Sequence, residues 1–274
     1  MTCRECGSIA TPDDFARQQA ASDSVRRELE GQNDNAVTRR QTRDFVFPLH
    51  YHVIAQDTNF EDGFLQDSHV NDMVTLLNQG FANTGVRFEL QEITRDVNRT
   101  WFQRADRDRG KAIEIEMKRK TRVGGANTLN IWTVGFFNPG APAGYSSFPW
   151  DLERSEEDRA RDGVVMKFDL LPSNPDGAPH RIGKTLTHEV GHWVGLFHTF
   201  ENSTQCTGNG DFVDDTSLQK NPTGVLDGCV ERNSCGAGLD PVDNFMDYSS
   251  DECRSKFTPN QITRMHEQLT RFRS

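Results

Sequence analysis

Thr187-His188-Glu189-Val190-Gly191-His192-Trp193-Val194-Gly195-Leu196-Phe197-His198 is the stretch that decides how the rest of the chain is read. His188 and His192 stand four apart, so on a helix they project from one face a turn apart and can both reach a single metal ion. Glu189 follows His188 directly and lies near the open side of such an ion, where a carboxylate can take a proton from an attacking water. His198 is ten residues beyond His188. That is roughly 80° off the shared face if the helix simply ran on. The helix must therefore stop and the chain turn back, and Gly195, free to take a left-handed conformation, permits the turn. The expected centre is one Zn²⁺ held by His188, His192 and His198, with Glu189 as general base and not as ligand.

Upstream of this stretch the pattern is strand and helix in alternation. Residues 45–54 (Phe-Val-Phe-Pro-Leu-His-Tyr-His-Val-Ile) alternate with period two, as do 86–93, and both read as strands. Between them Asp67 or Ser68 can cap a helix carrying Val70, Met73, Val74 and Leu77 on one face and ending at Gly80. The charged stretch 106–120 reads as an exposed helix weakened by Gly110. Residues 129–134 and 163–166 are further strands. The Gly- and Pro-interrupted segment 140–150 between them has the composition of a sheet edge. A helix spans about 181–194, and a last one spans 259–271, capped by Thr258 with Pro259 at its first position.

The composition is that of a soluble globular chain of 274 residues with a net charge of −10, which argues against nucleic acid as a partner. No apolar run approaches the roughly 18 residues of a membrane span. Four of the six cysteines, Cys206, Cys229, Cys235 and Cys253, fall in one turn-rich stretch and read as two disulfides stapling a lobe with little core. An oxidising, extracellular location follows, with which the sequons at Asn98 and Asn202 agree. No apolar signal-type run precedes Cys3, so Met1 is read as an artificial start or as what remains after signal removal. Spacing alone leaves adjacent and interleaved cysteine pairings open.

His-Glu-x-x-His-x-x-Gly-x-x-His is the zinc motif of the metzincin metallopeptidases, and this chain resembles them. Asn244-Phe245-Met246-Asp247-Tyr248-Ser249 is similar to their Met-turn. With residues 210–216 (Gly-Asp-Phe-Val-Asp-Asp-Thr), the late cysteines and the ending 257–265, it resembles the pappalysin family over residues 45–274. Ser217 departs from the proline expected there, and Phe148-Pro149-Trp150 matches the edge strand. The resemblance implies an α+β catalytic domain, with a twisted, mostly parallel sheet, an antiparallel edge strand, helices, and an irregular disulfide-stapled C-terminal subdomain. It implies Met246 as an apolar floor under the histidines, Tyr248 as donor to the reaction's oxyanion, and the pairings Cys206 with Cys235 and Cys229 with Cys253. It further implies a structural Ca²⁺ near Asp211, Asp214, Asp215 and Thr216, whose hard oxygens suit that ion.

The activity implied is zinc endopeptidase cleavage of extended protein or peptide substrates by a monomeric secreted enzyme. Substrate backbone would pair with the edge segment at Gly144, Tyr145 and Ser146. Relatives prefer arginine after the scissile bond, and Asp251 and Glu252 could supply an acidic pocket floor for Arg or Lys. A catalytically silent zinc fold used for binding is the alternative, disfavoured because Glu189 and all three histidines are present.

Residues 1–43 are polar, with no sustained core face, and read as a separate pro-segment before an N-terminal catalytic subdomain (44–195) and a C-terminal subdomain (196–274). Arg4-Glu5-Cys6-Gly7 resembles the cysteine switch of related leaders, in which a thiolate takes the zinc's fourth position and shuts out water. Cys3 as the switch, or a Cys3–Cys6 disulfide, are the rival readings. Arg39, Arg40 and Arg43 are sites where an arginine-directed enzyme could remove its own leader.

Overall fold

The computed structural model describes residues 4–30, 44–138, 140–172, 174, 183–203, 205–236 and 238–274. Cys3, Arg39, Arg40, Arg43 and the expected helix start near Arg181 lie outside them.

The apolar alternation of 45–54 folds as expected into strand β2 (Phe45–Ala55), preceded by a short β1 (Arg4–Cys6). β3 (Val86–Val97), β4 (Leu129–Val134), β5 (Pro142–Ser146) and β6 (Val164–Lys167) follow. Among the described residues they form one sheet in the order β1-β5-β6-β4-β2-β3. β3, β2, β4 and β6 run parallel, whereas β5 is antiparallel to β6. The expected mostly parallel sheet with an antiparallel strand is therefore present. β5 is not its outermost strand, however: β1 lies parallel along it, with Cys6 opposite Gly144.

The helices are α1 (Pro12–Glu30), α2 (Asp67–Gly80), α3 (Arg99–Arg104), α4 (Lys111–Thr121), α5 (Glu156–Ala160), α6 (Lys184–Trp193) and α7 (Pro259–Phe272). α2 and α6 pack on one face of the sheet, burying Met73, Leu77, Leu186 and Val190 in one apolar cluster with Leu49, Tyr51, Ile131 and Val165. The residue at the N-cap of α2 is Gln66, whose backbone N–H donates to His69 Nδ1 at 3.2 Å, and not Asp67 or Ser68. α7 begins as expected, with Thr258 accepting from the Gln261 amide at 3.1 Å.

Two expectations are corrected. α4 is not an exposed helix, because Glu114 and Lys118 are fully buried and Arg161 closes on Glu114 at 2.7 Å. Three charges that satisfy one another can be buried without an apolar face to announce it. The segment before β2, expected to lack a core face, is not without a buried one either. α1 buries Asp14, Gln18, Ala21, Ser22 and Val25 and packs along α7. Because most of that face is polar, hydrophobic periodicity does not reveal it.

After α6 the chain is irregular for some sixty-five residues, held by disulfides Cys206–Cys235 and Cys229–Cys253. Of the two cysteine pairings left open by spacing, the interleaved one is present.

Candidate active site

α6 carries His188, Glu189 and His192 on its buried face, and the turn expected at Gly195 is made there with φ +103°. His198 thereby returns to the helix: its Nε2 stands 3.1 Å from that of His192, which stands 3.2 Å from that of His188. Each ring is fixed from behind. His188 Nδ1 meets the Phe245 carbonyl at 2.7 Å, His192 Nδ1 the Leu196 carbonyl at 2.8 Å, and His198 Nδ1 the Glu201 carboxylate at 2.8 Å. With acceptors at every Nδ1, the protons sit on Nδ1 and the Nε2 lone pairs point at one another. Burial, and then mutual repulsion, holds His188 and His192 well below the usual histidine range, so both rings are neutral.

Three ring-nitrogen atoms converging on one point suit a cation. Tetrahedral zinc with bonds of about 2.0–2.1 Å to nitrogen spaces its ligands roughly 3.3 Å apart, which is the spacing found. Cys6 completes the group: its Sγ lies 3.5 Å from His192 Nε2, and the four ligand atoms lie within 4.8 Å of one another. Among the described residues this is the single cluster of at least three His, Cys, Asp or Glu side chains spaced to hold a metal ion.

Glu189 sits beside that group, 3.4 Å from Cys6 Sγ, with burial pushing its carboxyl up to about 8. Gly144 of β5 approaches so closely that a Cβ there would stand 3.0 Å from Glu189 Cγ. Met246 lies beneath α6, its sulfur filling the space that a side chain at Gly191 would need. Tyr248 puts its hydroxyl 3.2 Å from His198 Nε2.

Residues 6–8 lie in the cleft between this centre and β5. Gly7 N–H donates to the Gly144 carbonyl at 2.8 Å. Ser8 Oγ accepts from Ser146 N–H at 2.8 Å and lies 3.2 Å from Glu189 Oε2. Main-chain groups of Gly144 and Ser146 are thus engaged, while the Tyr145 side chain is buried on the far side against Phe136 and Lys118. Ser8 and Glu201 carried no sequence signal beyond lying two residues from Cys6 and three from His198.

The expected pocket acids separate. Asp251 is fully buried, accepts from the Lys184 amide at 2.8 Å, and pairs with Arg254. Glu252 lines a different cavity, with Lys256 and Thr258. The acidic run 211–216 does not gather into one cluster. Asp215 turns to α7, accepting from Thr258 Oγ1 at 2.6 Å and Asn260 N–H at 2.9 Å. Thr216 donates to Asp211, whose other oxygen is buried without a partner and whose carboxyl burial pushes up to about 7.

The family model described as Pregnancy-associated plasma protein-A matches residues 146–270. The chain is 36% identical over 273 residues to Extracellular metalloprotease 1 of Coccidioides posadasii, covering 99% of this chain and 91% of that protein. It belongs to the pappalysin family of metallopeptidases. An Extracellular metalloprotease of Verticillium alfalfae is 40% identical over 230 residues, covering 82% of this chain and 76% of that one. This pappalysin is accordingly an extracellular metalloendopeptidase acting on protein or peptide substrates, and its family implies zinc. Its fold is shared by a Tannerella forsythia promirolysin mutant, with TM-score 0.68 and 21% identity over 98% of this chain and 95% of that one. Mature mirolysin in complex with a cleaved peptide gives 0.61 and 22% over 81% and 90%.

Proposed function

We propose that this pappalysin is a latent zymogen whose catalytic zinc is held by His188, His192 and His198, with Cys6 in the fourth position. The observation that carries the reading is the buried convergence of one thiol and three Nε2 atoms beside Glu189. Promirolysin matching 98% of the chain where mature mirolysin matches 81% supports 1–43 as the removable part. Residues 44–195 and 196–274 are then the two subdomains of the mature enzyme. Zinc bound there supplies Lewis acidity, bringing the pKa of water toward 7 and polarising a carbonyl.

The rest is done by the chain. An extended substrate adds as a strand on β5, using the main-chain groups of Gly144, Tyr145 and Ser146 that the leader now occupies or covers. Glu189 takes the proton of the attacking water and returns it to the leaving amide nitrogen. Its burial favours the protonated form, which suits the second half of that task. Tyr248 donates its phenolic proton to the carbonyl oxygen as charge develops. Met246, packed against Gly191, keeps the floor under the three rings apolar and fixed.

Preference for Arg or Lys after the scissile bond rests in this proposal on Asp251 and not on Glu252. A basic substrate side chain reaching Asp251 would replace Arg254, its resident counter-ion. Calcium in the 211–216 loop rests on Asp211, whose buried and unpartnered oxygen is the one feature there that a cation would satisfy; Asp214, Asp215 and Thr216 would complete such a site only by rearranging. The deciding experiment compares casein cleavage by the intact chain, its Cys6→Ala variant and the leader-free enzyme, with and without chelator. Latency in the first alone, and loss of all activity with chelator, are expected. A fully active intact chain overturns the zymogen reading.

A further inference from the structure

Asp106 is buried and accepts from the backbone N–H groups of Asp108, Arg109 and Gly110 at 2.9, 2.8 and 3.0 Å. One carboxylate oxygen thus ties up the turn between α3 and α4, while Asn138 binds the other. From this ordered turn Arg107 reaches toward the catalytic cleft. Its one hydrogen bond among the described residues runs from Nη1 to the Gly7 carbonyl at 3.1 Å, and it makes no ion pair among them. A guanidinium has five N–H donors, so most of this one's capacity is unspent inside the protein. Gly7 is held twice: its N–H by the Gly144 carbonyl of β5 and its carbonyl by Arg107. Cavities of about 60 Å³ beside Tyr145, Ser146 and Ser147 and about 210 Å³ beside Ala141 and Pro142 flank the guanidinium. The arginine therefore has room on both sides of its present partner.

We propose that Arg107 is a substrate-binding residue of the mature enzyme, donating to the main-chain carbonyl of the substrate residue that takes the place of Gly7 beside β5. The inference rests on the reading of the leader as a removable occupant of the cleft. When the leader goes, Arg107 loses its partner, while the turn that aims it, held by Asp106 and Asn138, belongs wholly to the enzyme. A donor fixed in advance binds an incoming carbonyl without a further ordering cost. A charge-assisted bond to a carbonyl is also stronger than a neutral one. Since the acceptor is main chain, the contact is indifferent to the side chain at that position. It adds grip on any extended peptide long enough to reach it, and none on shorter ones.

The test uses the zinc-loaded full chain, activated by limited cleavage within 31–43 and freed of its leader, as wild type, Arg107→Ala and Arg107→Lys. Each is assayed on a long peptide spanning the cleft on both sides of the scissile bond and on a set truncated stepwise from either end. For Arg107→Ala the expected result is a KM about tenfold higher on the long peptide with kcat within twofold, the difference vanishing once truncation removes the contacted residue. Arg107→Lys should recover part of the loss, since a lysine keeps the charge but not the fork. An unchanged KM on the long peptide overturns the inference, and so does a kcat loss equal for long and short peptides. Full activity of the uncut wild-type chain overturns instead the reading of the leader as occupant. Equal thermal midpoints of the three activated proteins are expected, and a lowered midpoint for Arg107→Ala with parallel loss on all substrates would make the residue structural.

Discussion

The floor of the catalytic cleft and its covering are built from opposite materials. Beneath the histidines, α6 is buried along its whole length, locked to the sheet through Leu186 and Val190 and to the Met-turn through Met246. Above them, α1 packs Phe15 against Phe197 and Phe212 but presents polar groups at most of its buried positions. Gln18 donates to the Gly195 carbonyl at 2.7 Å and accepts from Arg264 at 2.6 Å, and Asp14 binds the Trp150 indole at 2.6 Å and Arg154 at 2.5 Å. Apolar burial is lost outright when a surface is exposed, whereas water can take over a broken hydrogen bond. Under the proposed activation, in which the floor stays and the cover leaves, this division is the one expected.

The largest expected effect lies in the floor. Glu189→Ala should lower kcat on casein by about 10²–10⁴-fold, the usual contribution of a positioned general base, while zinc content by atomic absorption stays that of wild type. His192→Ala should lose the metal as well. Undiminished zinc in His192→Ala would break the assignment of the ligands.

Next in size is a buried ion pair formed without any residue of the cover. Asp162 is fully buried between Arg273, at 2.8 Å, and Arg122, at 3.2 Å. Burial alone would push its carboxyl up, yet the two guanidiniums outweigh it and hold the carboxyl below its ordinary range. Removing one partner of a buried pair leaves the other uncompensated, so Asp162→Ala should cost about 3–5 kcal/mol in urea unfolding. For an acid whose folded pKa is depressed, the stabilisation is present above the unfolded value near 3.9 and fades as pH falls through the folded one. The intact chain should therefore lose stability below about pH 4 more steeply than Asp162→Asn. Parallel pH curves for the two proteins would show that the pair contributes nothing.

Asp211 gives the opposite sign. Its carboxyl is raised by burial to about 7, so between the unfolded value and 7 the folded state holds a proton that the unfolded state has released. Stability should fall as pH rises across that interval, and Asp211→Asn should flatten the slope. If calcium binds there, millimolar Ca²⁺ at pH 7 should raise the thermal midpoint of wild type and not of the variant. No shift in either would remove calcium from this loop.

The same contrast governs what could be read from sequence. Strands β2, β3 and β4, α2 and α6 were legible because apolar burial writes a period into the chain, and the three zinc-type ligands and Glu189 because one local motif contains them. Cys6 was legible only as a resemblance, since nothing in Arg4-Glu5-Cys6-Gly7 itself says that a thiol 182 residues before His188 will meet it. α1 was missed, as most of its buried face is Asp14, Gln18 and Ser22, polar residues whose partners come from Trp150 and Arg154, from the turn at Gly195 and from α7. α4 was placed on the surface for the same reason, because Glu114 and Lys118 are buried by each other and by Arg161. Asp251 was singled out only as a candidate pocket acid, by its place after the Met-turn, and its engagement by Lys184 and Arg254 is a long-range fact that no local pattern carries.

The smallest expected effect falls on the cover itself. Among the described residues, Gln18 is the one residue of α1 that bonds both the turn of the zinc motif, through the Gly195 carbonyl, and α7, through Arg264. Its backbone carbonyl also accepts from Gln268 at 3.1 Å. In Gln18→Ala the last contact persists, while the Gly195 carbonyl and one arginine donor lose their partner in a buried place, at a cost of about 1–3 kcal/mol. That cost exists only while the leader is seated, because once it departs water reaches both groups. The variant should therefore weaken the leader's hold by about tenfold to a hundredfold, read as higher residual activity of the intact chain and as weaker inhibition when the cleaved leader is added back. The leader-free enzyme carries no substitution and serves as the common reference. Gln18→Glu makes the comparison sharper, since a carboxylate can still accept from Arg264 but cannot donate to the Gly195 carbonyl. Latency kept in Gln18→Glu but lost in Gln18→Ala would assign the anchoring to α7, and latency lost in both would assign it to the zinc-motif turn. Full latency in both variants would mean that the polar face of α1 does not hold the cover, leaving Cys6 and the β1–β5 pairing to do so alone.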